Sequence, residues 1–411
     1  MGAARWRKRI KVGCLILGLL SLLTGCWDRL EIEERAVILG ISIDKAEPEE
    51  MKEEKEVSHL KGKYPTPKKG SMRITVQIAV PGRIPLGPGE TGGGGKGGGQ
   101  KSVWVLDVVG HTIDDAVMNL QQQISAQLFF GHLRVIVVSQ EVAKDGLQDI
   151  NDYFRRSPEV RRLTWMMISK GKAGELMKAT PELERVPTLY LISTMDQAVR
   201  MGKFPNDFVG QFWSNSSKKG QEPYLPFVDI EKKGNMSISG MAFFKGEKMV
   251  GVTKPLEIGI YMEMLGMNPG GYQAFVEVPG TSGLVVYNVT HRKSNIDVQI
   301  KNGKPHITIK NHLEGDLREK SNGQFTLNGK SIQGIENQME MATEKGFKDL
   351  FEKTQKKGSD IFGFGEIVRA KHARYWNKQI KTNKNWQKMF KEITLESSSI
   401  IEVRRVGMKA N

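Results

Sequence analysis

Histidines, paired carboxylates and glycine-rich loops are the residues of this chain whose types and spacing could support catalysis or metal binding. His306 and His312 lie six residues apart on a predicted strand, so both side chains project from one face, and we interpret them as ordinary surface residues. Asp114 and Asp115 fall in the first turn of a predicted helix, where carboxylates stabilise the positive end of the helix dipole. Residues 87–98 fit G-x-G-x-x-G twice but neither end a strand nor open a helix, as a dinucleotide site requires. We therefore predict no catalytic residues, no metal and no cofactor, which favours a binding or structural protein.

Cys26 is the residue with the clearest predicted chemistry, because it directly follows an export signal. Residues 1–13 carry five basic residues and no acidic one, and a short apolar run follows. A charged start, such a run and small residues at its end are typical of a secretory signal peptide, whereas a spanning helix needs about 20 apolar residues. The quartet Leu23-Thr-Gly-Cys26 resembles the lipobox of bacterial lipoproteins, in which the cysteine is acylated and becomes the first mature residue. We predict that residues 1–25 are a lipoprotein signal peptide and that Cys26 anchors the mature chain to the outer face of a membrane.

Composition narrows the class of protein further. The formal net charge is +15, and removal of the five basic residues of the leader lowers it to about +10. Such a charge suits anionic headgroups, where each nearby Lys or Arg contributes roughly 1 kcal/mol. Nucleic acid is the usual partner of a basic chain, but export argues against it. Cys14 is removed with the leader and Cys26 is acylated, so we predict no disulfide and no zinc knuckle.

Residues 369–391 interleave basic and aromatic side chains. This mixture suits phosphate-rich surfaces, which for an exported protein are lipid headgroups. Alternatively, the aromatic side chains fill the core and the lysines form a solvated face. The sequence leaves both arrangements open. The candidate membrane- or partner-facing basic patch consists of Lys378, Lys381, Lys384 and Lys388.

The elements that must position these residues follow from hydrophobic periodicity. Strands alternate with helices in the first half of the chain, which predicts an α/β domain at residues 26–205. A hairpin over residues 236–252 and a helix over residues 255–265 form a predicted middle domain, residues 206–268. The first-half strands are predicted at residues 36–44, 72–80, 103–109, 133–139 and 163–169, with helices at residues 112–128 and 142–154.

Residues 269–411 form the predicted C-terminal α/β domain. Alternation of apolar and polar residues over 295–300 leaves one sheet face wet, which favours antiparallel pairing. A helix over Ser331–Lys356 is predicted to cover the dry face with a stripe of Ile332, Ile335, Met339, Ala342 and Leu350. We thus predict a fold of the α/β class (α+β type) with three mixed domains, the last a mainly antiparallel sheet covered by a long helix. Its strands are predicted at residues 284–290, 295–300, 307–313 and 394–406.

Six ordered sequence blocks cover nearly the whole mature chain and together resemble one known family. That family is the Ger(x)C lipoproteins, the C subunit of spore germinant receptors in endospore-forming bacteria. This chain departs from the pattern in a charged insert at residues 45–70 and in its long glycine loop. The blocks are Cys26–Arg29 with Ile38–Asp44, Trp104–Asp107 with Gly110–Ile113, Phe130–Val138, Tyr153–Arg161, Gly240–Gly251, and Asp360–Glu366 with Tyr375-Trp376 and Asn385-Trp386.

The resemblance implies three α/β domains without known enzymatic activity. It also implies assembly with two membrane-embedded subunits, called A and B, on the outer face of the spore inner membrane, and a role in germination in response to nutrients. An alternative is a lipid-anchored solute-binding protein that captures the nutrient itself, although we see no duplication of lobes. A cell-envelope hydrolase is disfavoured because no acid/base or metal constellation is evident in the sequence.

Overall fold

The computed structural model describes the chain from Glu34 onward, with gaps. Cys26 and the predicted leader cleavage point lie outside the described residues, as does the glycine loop at residues 92–99. In the described part, two β-sheets and their helices account for the fold. The described residues are 34–50, 70–80, 102–179, 184, 186–231, 234–267, 272–321 and 325–406, with isolated positions 6, 11 and 13.

In the described residues the first sheet has nine strands in the order β3-β2-β1-β5-β6-β7-β8-β9, with β4 beside β1. Its centre is parallel (β1, β5, β6, β7), and antiparallel strands complete both sides. Every residue of Val135–Ser139 and Trp165–Ser169 is buried, as expected for parallel strands covered on both faces. The strands are β1 Arg35–Lys45, β2 Met72–Ala79, β3 Val103–Gly110, β4 Gln127–Phe129, β5 Val135–Ser139, β6 Trp165–Ser169, β7 Tyr224–Ile230, β8 Met236–Lys245 and β9 Lys248–Val252.

Six helices in the part of the chain that the structure describes cover the two faces of this sheet. Thr112 caps the first by accepting a hydrogen bond from the Asp115 N–H, but that helix ends at Gln121 and not near residue 128. The helix predicted over residues 142–154 is two helices, because Gly146 adopts a φ of +122° between them. The helices are α1 Ile113–Gln121, α2 Gln140–Asp145, α3 Gln148–Arg156, α4 Ala173–Lys178, α5 Pro187–Arg200 and α6 Val209–Ser217.

The first sheet continues across the predicted boundary between residues 205 and 206. Strands β7, β8 and β9 lie beyond that point and hydrogen-bond in series to β6. One hydrophobic cluster also joins the α4–α5 face of this sheet to residues of the C-terminal half, including Ile307 and Phe347. The sheet and the core thus extend across the predicted boundaries. The division into three domains at residues 26–205, 206–268 and 269–411 stays a prediction.

The second sheet is mainly antiparallel and carries a long helix, which confirms the expected C-terminal architecture. The two strands predicted at residues 284–290 and 295–300 are one strand with a bulge between Val289 and His291. The last strand differs from the antiparallel expectation, because it pairs parallel to β12. The intervening helices carry the chain back to the start of the sheet, as parallel pairing requires. The strands are β10 Gln273–Glu277, β11 Leu284–Lys301, β12 Lys304–Lys320 and β13 Thr394–Val406, paired in that order.

Helix α8, Gly329–Lys357, matches the predicted long helix. Asn328 caps its start and Gly358, with φ +69°, ends it. The predicted apolar stripe is partly wrong: Ile335 and Leu350 are buried, but Ala342 is exposed. Thr343, Phe347 and Phe351 complete the buried face instead, since they follow the helical repeat from Ile335.

Helix α8 also covers the outer edge of β13 through a ladder of three glutamates. Carboxylate oxygens of Glu336, Glu340 and Glu344 accept hydrogen bonds from the backbone N–H groups of Val403, Ile401 and Ser399 at 2.8, 3.1 and 3.0 Å. Glutamates four apart on the helix thus match N–H groups two apart on the strand. We call these three residues the glutamate ladder.

Helix α7, Pro255–Met264, lies between two halves of the molecule, the first sheet with its helices and the second sheet with helix α8. It contacts β8 of the first sheet on one side and α8, β11 and β12 on the other. Ile258, Tyr261, Met262 and Met264 are buried around its circumference. A helix that is apolar on all sides must be enclosed, which is the position α7 takes.

Candidate functional site

The basic-aromatic segment folds as short helices that bury its tryptophans and leave its lysines exposed. Trp376, Trp386 and Phe390 are buried, and the two tryptophan ring centroids are 5.7 Å apart. The ion pairs of this segment involve other residues, such as Arg369 with Glu366. The structure thus separates an aromatic anchor from an exposed lysine patch, which we define as Lys378, Lys381, Lys384 and Lys388. The elements are α9 Phe364–Lys371, α10 Ala373–Tyr375, a π-helical turn Trp376–Ile380 and α11 Asn383–Phe390.

A buried aspartate holds this segment together. Asp360 accepts hydrogen bonds from the backbone N–H groups of Gly363, Phe364 and Gly365 at 2.9 to 3.3 Å. The indole N–H of Trp386 donates to the same carboxyl group at 2.9 Å. Burial raises the pKa of Asp360 to about 7 in spite of these donors. The lysine patch is therefore displayed on a packed and hydrogen-bonded support.

Glu222, just before β7, attaches the same segment to the first sheet. Its carboxyl group accepts hydrogen bonds from the side-chain amides of Asn383 and Gln387 at 3.0 and 2.8 Å. Burial raises the pKa of Glu222, although these donors oppose the shift. The backbones at Gly220 and Gly365 also approach each other closely. A Cβ atom on either glycine would overlap the backbone of the other segment. We call residues 358–391 the docking segment. It carries the lysine patch and attaches it to the rest of the molecule.

A groove of about 800 Å³ lies between α5, β8 and the start of α7. Its wall carries neutral polar side chains, including Ser193, Thr194 and Gln197, beside apolar ones. Tyr190 and Tyr272 border it; the Tyr190 hydroxyl accepts from the Met236 N–H, and the Tyr272 hydroxyl donates to a backbone carbonyl. The volume falls within the range of small-molecule sites.

His306 and His312 lie on the same exposed face of β12, as the spacing predicts, and each contacts a different glutamate of β13. His306 lies 3.2 Å from Glu396, and His312 lies 3.3 Å from Glu402. Six residues of strand separate the two histidines by about 20 Å, too far to share one ion.

Sequence reasoning missed Glu222 and the groove. Glu222 and the docking segment are more than a hundred positions apart, so no local pattern connects them. The groove combines residues of α5, β8 and Tyr272, which only the tertiary structure brings together. The sequence singles out Asp360 only as a member of one family-like block and does not indicate its role as a hydrogen-bond acceptor.

Among the helices of the described residues, none is both long enough and apolar enough to cross a membrane.

Two family models match successive parts of this chain. A model described as spore germination protein N-terminal domain matches residues 28–230. A second, described as spore germination B3/GerAC like, C-terminal, matches residues 239–407. Together the two cover most of the sequence.

Individual relatives carry similar names. The chain is 25% identical to spore germination protein YndF of Bacillus subtilis (strain 168) over 98% of each chain. It is 23% identical to spore germination protein KC of the same strain over 96% of each. Spore germination protein GerQC of Bacillus cereus is 25% identical over 76% of this chain and 85% of its own length.

One solved structure has a similar fold. The crystal structure of the GerBC protein superposes with a TM-score of 0.54 at 18% identity, covering 83% of this chain and 96% of its own. The likeness supports the mixed α/β architecture.

Proposed function

Because the chain belongs to the family of GerAC-like spore germination proteins, we propose that it is a lipid-anchored, non-catalytic subunit of a nutrient germinant receptor. The family models span both halves of the chain, and this observation carries the proposal. The quartet ending at Cys26 supports the lipid anchor. The sequence contains no recognisable catalytic motif, which supports a binding role.

We further propose that the protein assembles with the A and B membrane subunits on the outer face of the spore inner membrane. Arg35, the first residue of β1, lies only nine positions after Cys26. Such a tether spans at most about 30 Å when fully extended. The first sheet would therefore stay close to the bilayer, within reach of membrane-embedded partners.

The anchor is tested by Cys26→Ala. Two acyl chains give stable membrane attachment, so their loss should move the protein from the membrane fraction to the supernatant after a high-salt wash. Cys14→Ala is the matched control, because that cysteine lies inside the predicted leader and its variant should stay with the membrane. A Cys26→Ala protein that still floats with membranes would contradict the proposed anchor.

The lysine patch is proposed to face anionic lipid or a receptor partner. Replacing its four lysines with Gln in the Cys26→Ala background should weaken co-sedimentation with anionic vesicles, most clearly at low salt, where screening is small. The fold should persist, since exposed charges contribute little to stability. A control variant replaces four exposed lysines elsewhere, Lys144, Lys248, Lys301 and Lys348. Equal vesicle binding by both variants would leave the patch as an ordinary solvated face.

The groove supports a second candidate function, capture of the nutrient by this chain itself. Its volume and mixed polar and apolar wall suit a small polar molecule. Calorimetry with a panel of amino acids and sugars tests this candidate. Saturable binding that Gln197→Leu abolishes and the exposed change Gln148→Leu leaves intact would favour capture. No binding across the panel would favour the pure assembly role.

A further inference from the structure

We propose that the exposed face of the second sheet carries a binding site for a divalent transition-metal ion, formed by His312, Glu314 and Glu402. We call these residues the metal cluster. Each offers one ligand atom, and these atoms lie within 4.8 Å of one another. Imidazole and carboxylate together suit ions such as Zn²⁺.

Strand geometry places the three side chains together. His312 and Glu314 are two residues apart on β12, so they project from one face of the strand. Glu402 lies directly opposite Glu314 on the parallel neighbour β13. The site therefore depends on the parallel pairing of these strands, which no local sequence pattern predicts.

The distances need only a small adjustment. His312 Nε2 lies 3.3 Å from Glu402 Oε1. Zinc bonds of about 2.1 Å in a tetrahedron separate adjacent ligand atoms by about 3.4 Å. The three side chains are between a quarter and two-fifths exposed, so an ion can reach them from solvent.

A cationic group already lies between the two carboxylates. Arg404 Nη2 donates to Glu314 at 2.9 Å and to Glu402 at 2.7 Å. Its hydrogen bond and charge, with the nearby charges of His291 and His312, lower the pKa of Glu314. The guanidinium binds one oxygen of each carboxylate, so a divalent ion at the metal cluster must compete with the arginine for these two groups.

His291 is a candidate fourth ligand on the neighbouring strand, outside the group of atoms that lie within 4.8 Å of one another. It lies opposite Glu314 on β11, immediately after the bulge that re-aims this part of the strand. An ion held by the metal cluster and His291 would connect three strands of the second sheet. Without His291, a water molecule would complete the coordination, as in other sites with three protein ligands.

The second histidine of β12 provides an internal contrast. His306 contacts Glu396 and the hydroxyl of Thr394, an arrangement with a single carboxylate. Beside His306 the hydroxyl of Thr394 stands in place of a second carboxylate, and a neutral hydroxyl is a poor zinc ligand. His306 therefore serves as the matched control residue on the same strand and face.

The test is a titration of the full-length, untagged protein in detergent with Zn²⁺ alone, followed by isothermal calorimetry. We expect one saturable site in the wild type. His312→Ala and Glu402→Gln should weaken it by at least about tenfold, the loss that even outer partners of metal ligands cause. Arg404→Gln should instead tighten binding, because the competing cation is gone.

His306→Ala should leave the titration unchanged, and thermal unfolding without metal checks that each variant is folded. His291→Ala distinguishes a fourth protein ligand from water: affinity falls in the first case and is unchanged in the second. The proposal is overturned if the wild type shows no saturable binding. It is overturned equally if His306→Ala weakens binding as much as His312→Ala, or if Arg404→Gln does not tighten it.

Discussion

Asp207 is a fully buried carboxyl group that precedes α6 and lies near Tyr224 of β7 and Tyr261 of α7. Within the described part of the chain, neither of its oxygens has a hydrogen-bond partner. Burial raises its pKa well above the ordinary value of 3.8. The hydroxyl-bearing rings of Tyr224 and Tyr261 lie nearby, and burial raises their pKa values too. The aspartate therefore stays protonated in the folded protein under conditions that ionise it in the unfolded chain.

Asp207→Asn should stabilise the protein increasingly as pH rises. A carboxyl group whose pKa is raised by folding contributes stability below its unfolded pKa and loses it as pH rises towards the folded value. The amide does not titrate, so the gain over wild type should grow by up to about 1.4 kcal/mol per pH unit while the folded aspartate stays protonated. Urea unfolding at pH 5 and pH 7 measures this difference. Asp349→Asn, exposed on α8, is the control, and an equal gain at both pH values would contradict the expected protonation.

At the scale of the elements, the glutamate ladder explains why β13 has a blocked outer edge. An edge strand presents unpaired N–H groups that attract other strands. Here the carboxylates of α8 accept from alternate N–H groups along the strand. The long helix thus covers the sheet and occupies its hydrogen-bonding edge at the same time.

Replacing the three ladder residues with Ala should destabilise the protein and promote association. Each lost hydrogen bond to a charged acceptor costs about 1.5–3 kcal/mol, and the exposed edge of β13 can then pair with another copy. Urea unfolding and sedimentation velocity measure the two effects. Replacement with Gln keeps an acceptor oxygen and should remain closer to wild type. Association of the Ala variant no greater than that of Glu352→Ala would argue against edge protection.

Elements with strong local patterns were predictable, and those that depend on distant partners were not. The bounds of α8 and of the β8–β9 hairpin follow from caps, periodicity and a turn glycine. The parallel pairing of β13 has no local pattern, because its partner precedes a long helix. For the candidate site, the sequence of residues 369–391 left two arrangements open. A mixture of basic and aromatic residues fits a lipid-binding surface, and it fits equally a segment whose tryptophans are buried and whose lysines are exposed.

At the scale of the whole molecule, two buried carboxyl groups hold separate parts of the chain in place. Glu263, at the end of α7, accepts a hydrogen bond from Asn311 at 2.9 Å and is attracted by Arg292. Burial raises the pKa of Glu263 to about 7, as it does for Asp360 in the docking segment. The link from α7 to the second sheet and the internal hydrogen bonds of the docking segment are therefore both sensitive to pH near neutrality.

The midpoint of thermal unfolding should fall as pH rises from 5 to 8. Both folded pKa values exceed their ordinary values, so the stabilising contribution is present in acid and is lost as pH passes through about 7. Calorimetric scans at four pH values give the slope. The double variant Glu263→Gln, Asp360→Asn should flatten it even if its absolute stability is lower. A midpoint that rises over this interval would contradict the expected sign.

The parallel pairing of β12 and β13 also determines the order in which the second sheet can assemble. The β11–β12 hairpin closes through Asn302-Gly303, both with positive φ, and such hairpins form in roughly 1–10 μs. His306 pairs with Thr394, 88 positions later, and contacts this distant in the chain form slowly. A folding chain therefore passes through a stage in which β12 is ordered but its neighbour has not arrived. During that interval the open side of β12 can accept the last strand of another molecule, so exchange of β13 between chains is the misfolding route we expect at high concentration.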